Sequence, residues 1–151
     1  MEIEKRSVLS EQAKVVARRE WLDLGFYYIR DDENTKWRII GSKDGLRKFA
    51  GILRRYASND AYDFVSAHEN FGPYSYLEIG TWDRAEITKH WIAGPQESLN
   101  SLASKIDELA ADLAIDETLS LKEIFSPSSI YDLELEMRTD NFDPAAEDPN
   151  L

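Results

Sequence analysis

Two amphipathic stretches offset by 53 residues constrain this chain more than any other feature of its sequence. In the first, from about Ser42 to Tyr56, Leu46, Phe49, Ala50, Leu53, Tyr56 and Ala57 recur at i, i+3, i+4 and i+7. That spacing lines one face of a 3.6-residue helix. In the second, between Pro95 and Leu113, Leu99, Leu102, Ala103, Ile106, Leu109, Ala110 and Leu113 do the same, and Pro95 suits a first helical turn. Sliding the chain on itself by 53 positions superposes Ile39 on Ile92, Gly41 on Gly94, Leu46 on Leu99, Ala50 on Ala103 and Ala57 on Ala110. Two copies are too few for a solenoid, so both stripes must share one core.

Each helix follows two strand-like stretches. Leu22 to Arg30, with the aromatic run Phe26-Tyr27-Tyr28, is followed by the polar segment Asp31 to Lys36 and then by Trp37-Arg38-Ile39-Ile40. This reads as a hairpin feeding a helix. The second set is Tyr74 to Trp82, a turn at Asp83-Arg84-Ala85, and Glu86 to Ala93. A last strand is predicted at Ile130 to Arg138, where Tyr131, Leu133, Leu135 and Met137 alternate with Asp132, Glu134, Glu136 and Arg138. The order ββα-ββα-β predicts an α+β fold of two layers, with both helices on one face of an antiparallel or mixed sheet of about five strands.

The predicted organisation is an N-terminal arm or short helix over residues 1–20, one domain with the internal repeat over 21–138, and a disordered acidic tail over 139–151. Aromatic residues fall on both faces of the first strand, so the sheet face away from the helices is either covered by the N-terminal arm or left as a binding or homodimer surface.

The chemistry-bearing residues are sparse. There is no cysteine, hence no disulfide, thiolate metal site or cysteine nucleophile. His68 and His90 stand alone, in neither an H-x-x-x-H nor an H-x-E arrangement, and Gly41-Ser42-Lys43-Asp44-Gly45 fits no phosphate-binding loop. His90 reads as a sheet-face side chain. His68 lies beside Glu69, but Ser66 lacks the context of an exposed nucleophile. These residues predict no metal, no cofactor and no enzyme. The N-terminus lacks an apolar signal core and no window is long and apolar enough to span a membrane, which points to the cytoplasm.

A formal charge of −11 disfavours nucleic acid and anionic membranes and favours a basic protein partner. The helices differ in sign: Lys43, Arg47, Lys48, Arg54 and Arg55 face only Asp44 in the first, whereas Glu97, Asp107, Glu108 and Asp112 face only Lys105 in the second. Acidic residues gather at the first hairpin tip, Asp31-Asp32-Glu33, and in the segment Ser58 to Pro73, which is too long for an ordinary connection. The candidate partner-binding set is therefore Asp31, Asp32 and Glu33, with Tyr62, Asp63, Phe64, His68, Glu69 and Phe71.

The run Trp37-Arg38-Ile39-Ile40-Gly41, then Gly45-Leu46-x-x-Phe49-Ala50-x-x-Leu53, a polar loop with a His, and Gly72-Pro73-Tyr74-Ser75-Tyr76-Leu77-Glu78-Ile79 resembles small bacterial immunity proteins of polymorphic toxin systems. The resemblance covers about residues 22–110 and rests on fold-pattern residues. It implies a compact α+β protein that binds and neutralises a cognate toxin in the cytoplasm of the producing cell, and the acidity of the chain would suit masking a basic nuclease. Beside it stands the reading of a protein-interaction or regulatory domain, and after that a small-molecule binder or enzyme.

Overall fold

The computed structural model describes residues 9–151. The first eight residues of the expected N-terminal arm, including the stretch read for a signal core, lie outside them. Among the described residues the order is α1 (Glu11–Leu24), β1 (Tyr27–Asp31), β2 (Lys36–Gly41), α2 (Lys43–Ala57), β3 (His68–Phe71), β4 (Leu77–Thr81), β5 (Glu86–Ile87), β6 (Ile92–Gly94), α3 (Gln96–Ala110), β7 (Thr118–Ser120), α4 (Lys122–Phe125) and β8 (Asp132–Met137). The fold is α+β. It carries two four-stranded mixed sheets in place of the single five-stranded sheet expected.

The two sheets share one plan. In the first, β1-β2-β8-β7, the outer pairs are antiparallel and the central pair β2–β8 is parallel. In the second, β3-β4-β6-β5, the outer pairs are again antiparallel and the central pair β4–β6 parallel. The second sheet is inserted whole between the second and third strands of the first. Glu86 to Ala93 was expected to pair back onto Tyr74 to Trp82 as a hairpin. Instead the turn Thr88–Trp91 breaks it into β5 and β6, and β6 runs parallel to β4 with Ile79 opposite Ile92. His90 therefore sits in a turn and not on a strand face.

The 53-residue offset matches the helices and the ends of the strands before them. Both bounds of α2 map onto those of α3 at the 53-residue offset, and β2 ends at Gly41 as β6 ends at Gly94. The helices pack side by side and antiparallel. Lys43 at the start of α2 donates to the carbonyl of Ala111 beyond the end of α3 (3.2 Å), while Gln96, its equivalent, donates to the carbonyls of Tyr56 and Asn59 at the end of α2 (3.3 and 2.9 Å). Each helix thus supplies a donor to the other's orphan C-terminal carbonyls. Arg54 and Asp107, also equivalent, pair at 2.7 Å across the seam. Both are partly exposed, so this pair is worth only about 0.5 kcal/mol. The stability comes from the stripes, since Leu46, Phe49, Leu53, Leu99, Leu102 and Ile106 are all buried in one continuous core. Each such side chain contributes about 1.5–3 kcal/mol.

The helices therefore do not lie together on one sheet. α2 packs on β2 and β8 of the first sheet, and α3 packs on α2 and on β6 of the second. Close approach is needed where α2 begins: a Cβ on Gly45 would lie 2.4 Å from the carbonyl oxygen of Gly25, the left-handed residue (φ +85°) that closes α1.

Both ends of the described chain are packed, which corrects two expectations. Ser10 caps α1 by accepting from Ala13 N, and the helix runs on to Leu24, so residues 22–24 are helical and not strand. From α1, Trp21 reaches Tyr27 and Tyr28 (ring centroids 4.8 and 5.3 Å), which face opposite sides of β1. It so covers that edge. The tail 139–151 was expected to be disordered because of its prolines and acids. It forms a 3-10 turn at Pro144–Glu147, and the buried Asp148 accepts from the Trp21 indole at 2.8 Å and from the Tyr74 hydroxyl at 2.6 Å. Burial, with the nearby charges of Asp148 and Glu147, pushes the Tyr27 hydroxyl up to about 12.

The alternation read in β8 holds on its apolar side, with Leu133, Leu135 and Met137 buried. The polar side is less solvated than alternation implies. Glu136 is buried and takes two bonds from Arg38 on β2 (2.6 and 2.9 Å) and a third from Arg138 (3.2 Å). Burial alone would raise its carboxyl, but the Arg38 bonds and the charges of Arg38, Arg138 and Lys36 outweigh it and hold the group below its usual range.

Candidate functional site

The hairpin tip and the long segment place the nine candidate residues on two separate supports. At the tip, Asp31 accepts from the backbone N–H (3.1 Å) and side-chain amide (2.8 Å) of Asn34, and the side-chain bond, ahead of the backbone one, holds its carboxyl below the usual range. Asp32 pairs with the buried Arg30 through Nε and Nη2 (2.5 and 2.8 Å) and accepts from the Tyr131 hydroxyl (2.8 Å). Arg30 also donates to the carbonyl of Lys89 and lies over the Trp37 ring at 6.0 Å, while Trp37 Nε1 donates to the carbonyl of Thr88 (2.8 Å). The tip is thereby one tie between the two sheets. Only Glu33 of the three acids is exposed and without a partner among the described residues.

The segment from Ser58 to Pro73 is less of a loop than its sequence suggests. It holds a 3-10 turn at Asp60–Tyr62 and the edge strand β3. Tyr62 stacks on Tyr56 (4.5 Å, 11° between planes) and donates to Glu69 at 2.5 Å; that bond raises the Tyr62 hydroxyl above its usual range. His68 and Glu69 are successive strand residues and so point to opposite faces. His68 is exposed with Nδ1 3.2 Å from the Ser66 carbonyl oxygen, Glu69 is committed to Tyr62, and the two form no acid–base pair. Phe71 packs partly on the core and lines a cleft with Lys48 and Arg55 of α2.

What remains free is the turn between these elements. Phe64 and Val65 are 59% and 54% exposed, and the exposed Asp60 and Asp63 flank them. Ala67 N donates to the Phe64 carbonyl (3.1 Å) to close the turn, and Ser66 adopts a left-handed φ of +74°. That conformation costs on the order of 1 kcal/mol for a non-glycine residue and persists only where the surroundings enforce it. Here they do. Ser66 N donates to Thr81 O (2.9 Å), Thr81 N to Ala67 O (2.8 Å), and the buried Tyr56 hydroxyl donates to Ala67 O and bonds the Thr81 hydroxyl (both 2.8 Å). Thr81 Oγ1 in turn donates to Tyr62 O at 2.8 Å. Two adjacent apolar side chains are thus held out in water on a rigid base.

The candidate set read from the sequence includes Phe64 but neither Val65 nor Ile130, which is 78% exposed. The signal available for Val65 was its place beside Phe64 between Asp63 and Ser66, in a segment without period. Among the described residues no group of acidic and histidine side chains could hold a metal ion, every buried side-chain polar atom has a partner, and no helix is long and apolar enough to cross a membrane. Compared with protein-family models, with curated proteins and with solved structures, the chain finds no match.

Proposed function

We propose that this chain is a non-enzymatic binding protein that docks a basic protein partner on the Phe64–Val65 turn, and that the partner is a bacterial toxin domain which the chain neutralises in the cytoplasm of the producing cell. The observation that carries the docking surface is the rigid presentation of two exposed apolar residues beside Asp60 and Asp63. A preorganised aromatic anchor loses little conformational entropy on binding, which is where interfaces concentrate their affinity. The acidic flank and the net charge of −11 speed encounter with a cation-rich surface. The toxin assignment rests on the sequence resemblance described above and is the more specific half of the proposal.

Both halves are tested in one strain. Cells expressing a toxin domain encoded beside this chain should be rescued by the chain, and Phe64→Asp with Val65→Asp should abolish rescue while the melting temperature stays within about 2 °C. Rescue that survives the double substitution would remove the docking surface. Capture of a partner without rescue would favour the interaction or regulatory reading over neutralisation, and absence of any adjacent toxin domain would count against it too.

A further inference from the structure

On the opposite sheet edge from β3, a groove of about 560 Å³ opens between the β5–β6 turn and residues 128–131. Its size suits a small organic ligand. The walls are fixed from both sides. Ser126 Oγ donates to the carbonyl of Ala85 (2.9 Å) and Ile87 N donates to Ser129 Oγ (2.9 Å), so two serine hydroxyls take the place of a neighbouring strand along β5. The turn itself is held by His90 N and Trp91 N donating to Thr88 Oγ1 (3.1 and 3.3 Å), and by Trp37 and Arg30 on the Thr88 and Lys89 carbonyls.

Its charge is opposite to that of the molecule. The chain has 29 acidic against 18 basic side chains, yet Arg84, Lys89 and His90 line this groove together with one carboxylate, Glu86. Glu86 is already engaged by the Trp91 indole N–H at 2.8 Å. The side chains of Arg84, Lys89 and His90 find no hydrogen-bond or ion-pair partner among the described residues. On the rim, Asp32 is neutralised by Arg30. Ile87 is buried at the floor and Ile130 stands exposed at the mouth.

We infer that this groove binds a small amphiphilic organic anion, with one acidic group against Arg84, Lys89 and His90 and an apolar or aromatic body against Ile130. A polyanion would meet the field of the whole acidic chain, whereas a single charge seated within a Debye length of about 8–10 Å responds to the local cations. The site is independent of the Phe64–Val65 turn, because other elements build it.

The test titrates the native full chain with 8-anilinonaphthalene-1-sulfonate, followed by fluorescence and by backbone amide shifts, beside the uncharged N-phenyl-1-naphthylamine. Saturable one-site binding is expected, with shifts at residues 84–90 and 128–131. Arg84→Glu and Lys89→Glu should each weaken the sulfonate by about tenfold, the size of one charge-assisted hydrogen bond, and barely change the neutral probe. Ile130→Ser should weaken both probes, and Phe64→Asp with Val65→Asp should weaken neither. Each variant's melting curve checks that it is folded. Shifts mapping elsewhere, equal affinity for the neutral probe, sulfonate binding untouched by both charge reversals, or no binding at all would overturn the inference.

Discussion

The hairpin tip at Asp31–Glu33 and the turn at Phe64–Val65 are both short, acid-flanked reversals, yet they commit their side chains in opposite directions. At the tip two of the three acids bond back to the chain: Asp31 accepts from Asn34, Asp32 neutralises the buried Arg30, and that guanidinium holds the second sheet through Lys89 O. At the turn the polar groups face inward, as backbone bonds to Thr81 and Tyr56, and the apolar side chains are left in solvent. Acidic residues in a sequence are therefore not by themselves an acidic surface. An apolar pair on a strained, well-tied turn is the better sign of a docking point, because water offers Phe64 and Val65 nothing in return for their exposure.

The sharpest way to break this contrast is at Arg30. Arg30→Ala leaves the Asp32 carboxylate and the Lys89 carbonyl without their donor, and loss of one partner from a buried pair typically costs 3–5 kcal/mol. Because the Asp32 side chain is 42% exposed, screening reduces the expected loss to about 2 kcal/mol in urea melts. A loss under about 0.5 kcal/mol would show that the tip is no more integral to the fold than the turn.

Next in size is the base of the turn. Tyr56→Phe removes a buried hydroxyl that donates to Ala67 O and bonds Thr81 Oγ1. About 1–2 kcal/mol should be lost, since both partners stay behind in a buried setting. Hydrogen exchange should quicken at the Ser66 and Thr81 amides, which close the turn, and stay unchanged at the tip. Uniform quickening across the chain would mean that Tyr56 supports the core at large and not the turn in particular.

These residues also mark what was legible in the sequence. Local periodicity carried α2, α3, β2 and β8, and the offset of 53 pointed to one shared core; it did not show that the two helices cap each other through Lys43 and Gln96 or that they belong to two sheets. Two-strand pairing was less legible. Glu86 to Ala93 has the length of one strand, but Thr88 N donates to Trp91 O and Thr88 Oγ1 accepts from the His90 and Trp91 amides, so the chain turns there before β6 runs parallel to β4. β3 and β7 are edge strands of four and three residues, too short to show a period. The tail resembled a disordered acidic segment because its one buried carboxylate, Asp148, finds its donors in Trp21 and Tyr74, more than 70 positions away. Of the candidate site, Asp63, Phe64, His68 and Glu33 are exposed, whereas Asp31, Asp32, Tyr62 and Glu69 hold the fold through side-chain pairings that span from two to 99 positions. The basic side chains of the β5–β6 groove were hidden for another reason, since Glu86 and apolar residues separate Arg84 from Lys89 and His90, and only the fold brings the three to line one groove.

A smaller effect belongs to the turn's tip. Phe64→Asp with Val65→Asp removes apolar surface that water already wets, so stability should change by no more than about 0.5 kcal/mol in urea melts. A loss above about 1 kcal/mol would show that these side chains are packed in solution and are no docking point.

The smallest effect should separate two neighbours in sequence. Glu33→Lys reverses an exposed charge with no partner among the described residues, so it should alter stability by a few tenths of a kcal/mol at most, roughly the scale of surface substitutions. Asp32→Lys at the adjacent position sets an ammonium group beside the buried Arg30 and withdraws the acceptor of the Tyr131 hydroxyl. Like charges in contact at a partly buried site repel, and the guanidinium keeps the Lys89 carbonyl and the Trp37 ring. The Asp32 variant should therefore unfold at clearly lower urea than the Glu33 variant, with the same dependence on denaturant. Raising salt should narrow the gap, since screening relieves the repulsion but cannot restore the lost hydrogen bonds. If the two reversals prove equal at low salt, the tip behaves as one solvated acidic cluster, its inward-facing charges do no structural work, and the contrast with the Phe64–Val65 turn disappears.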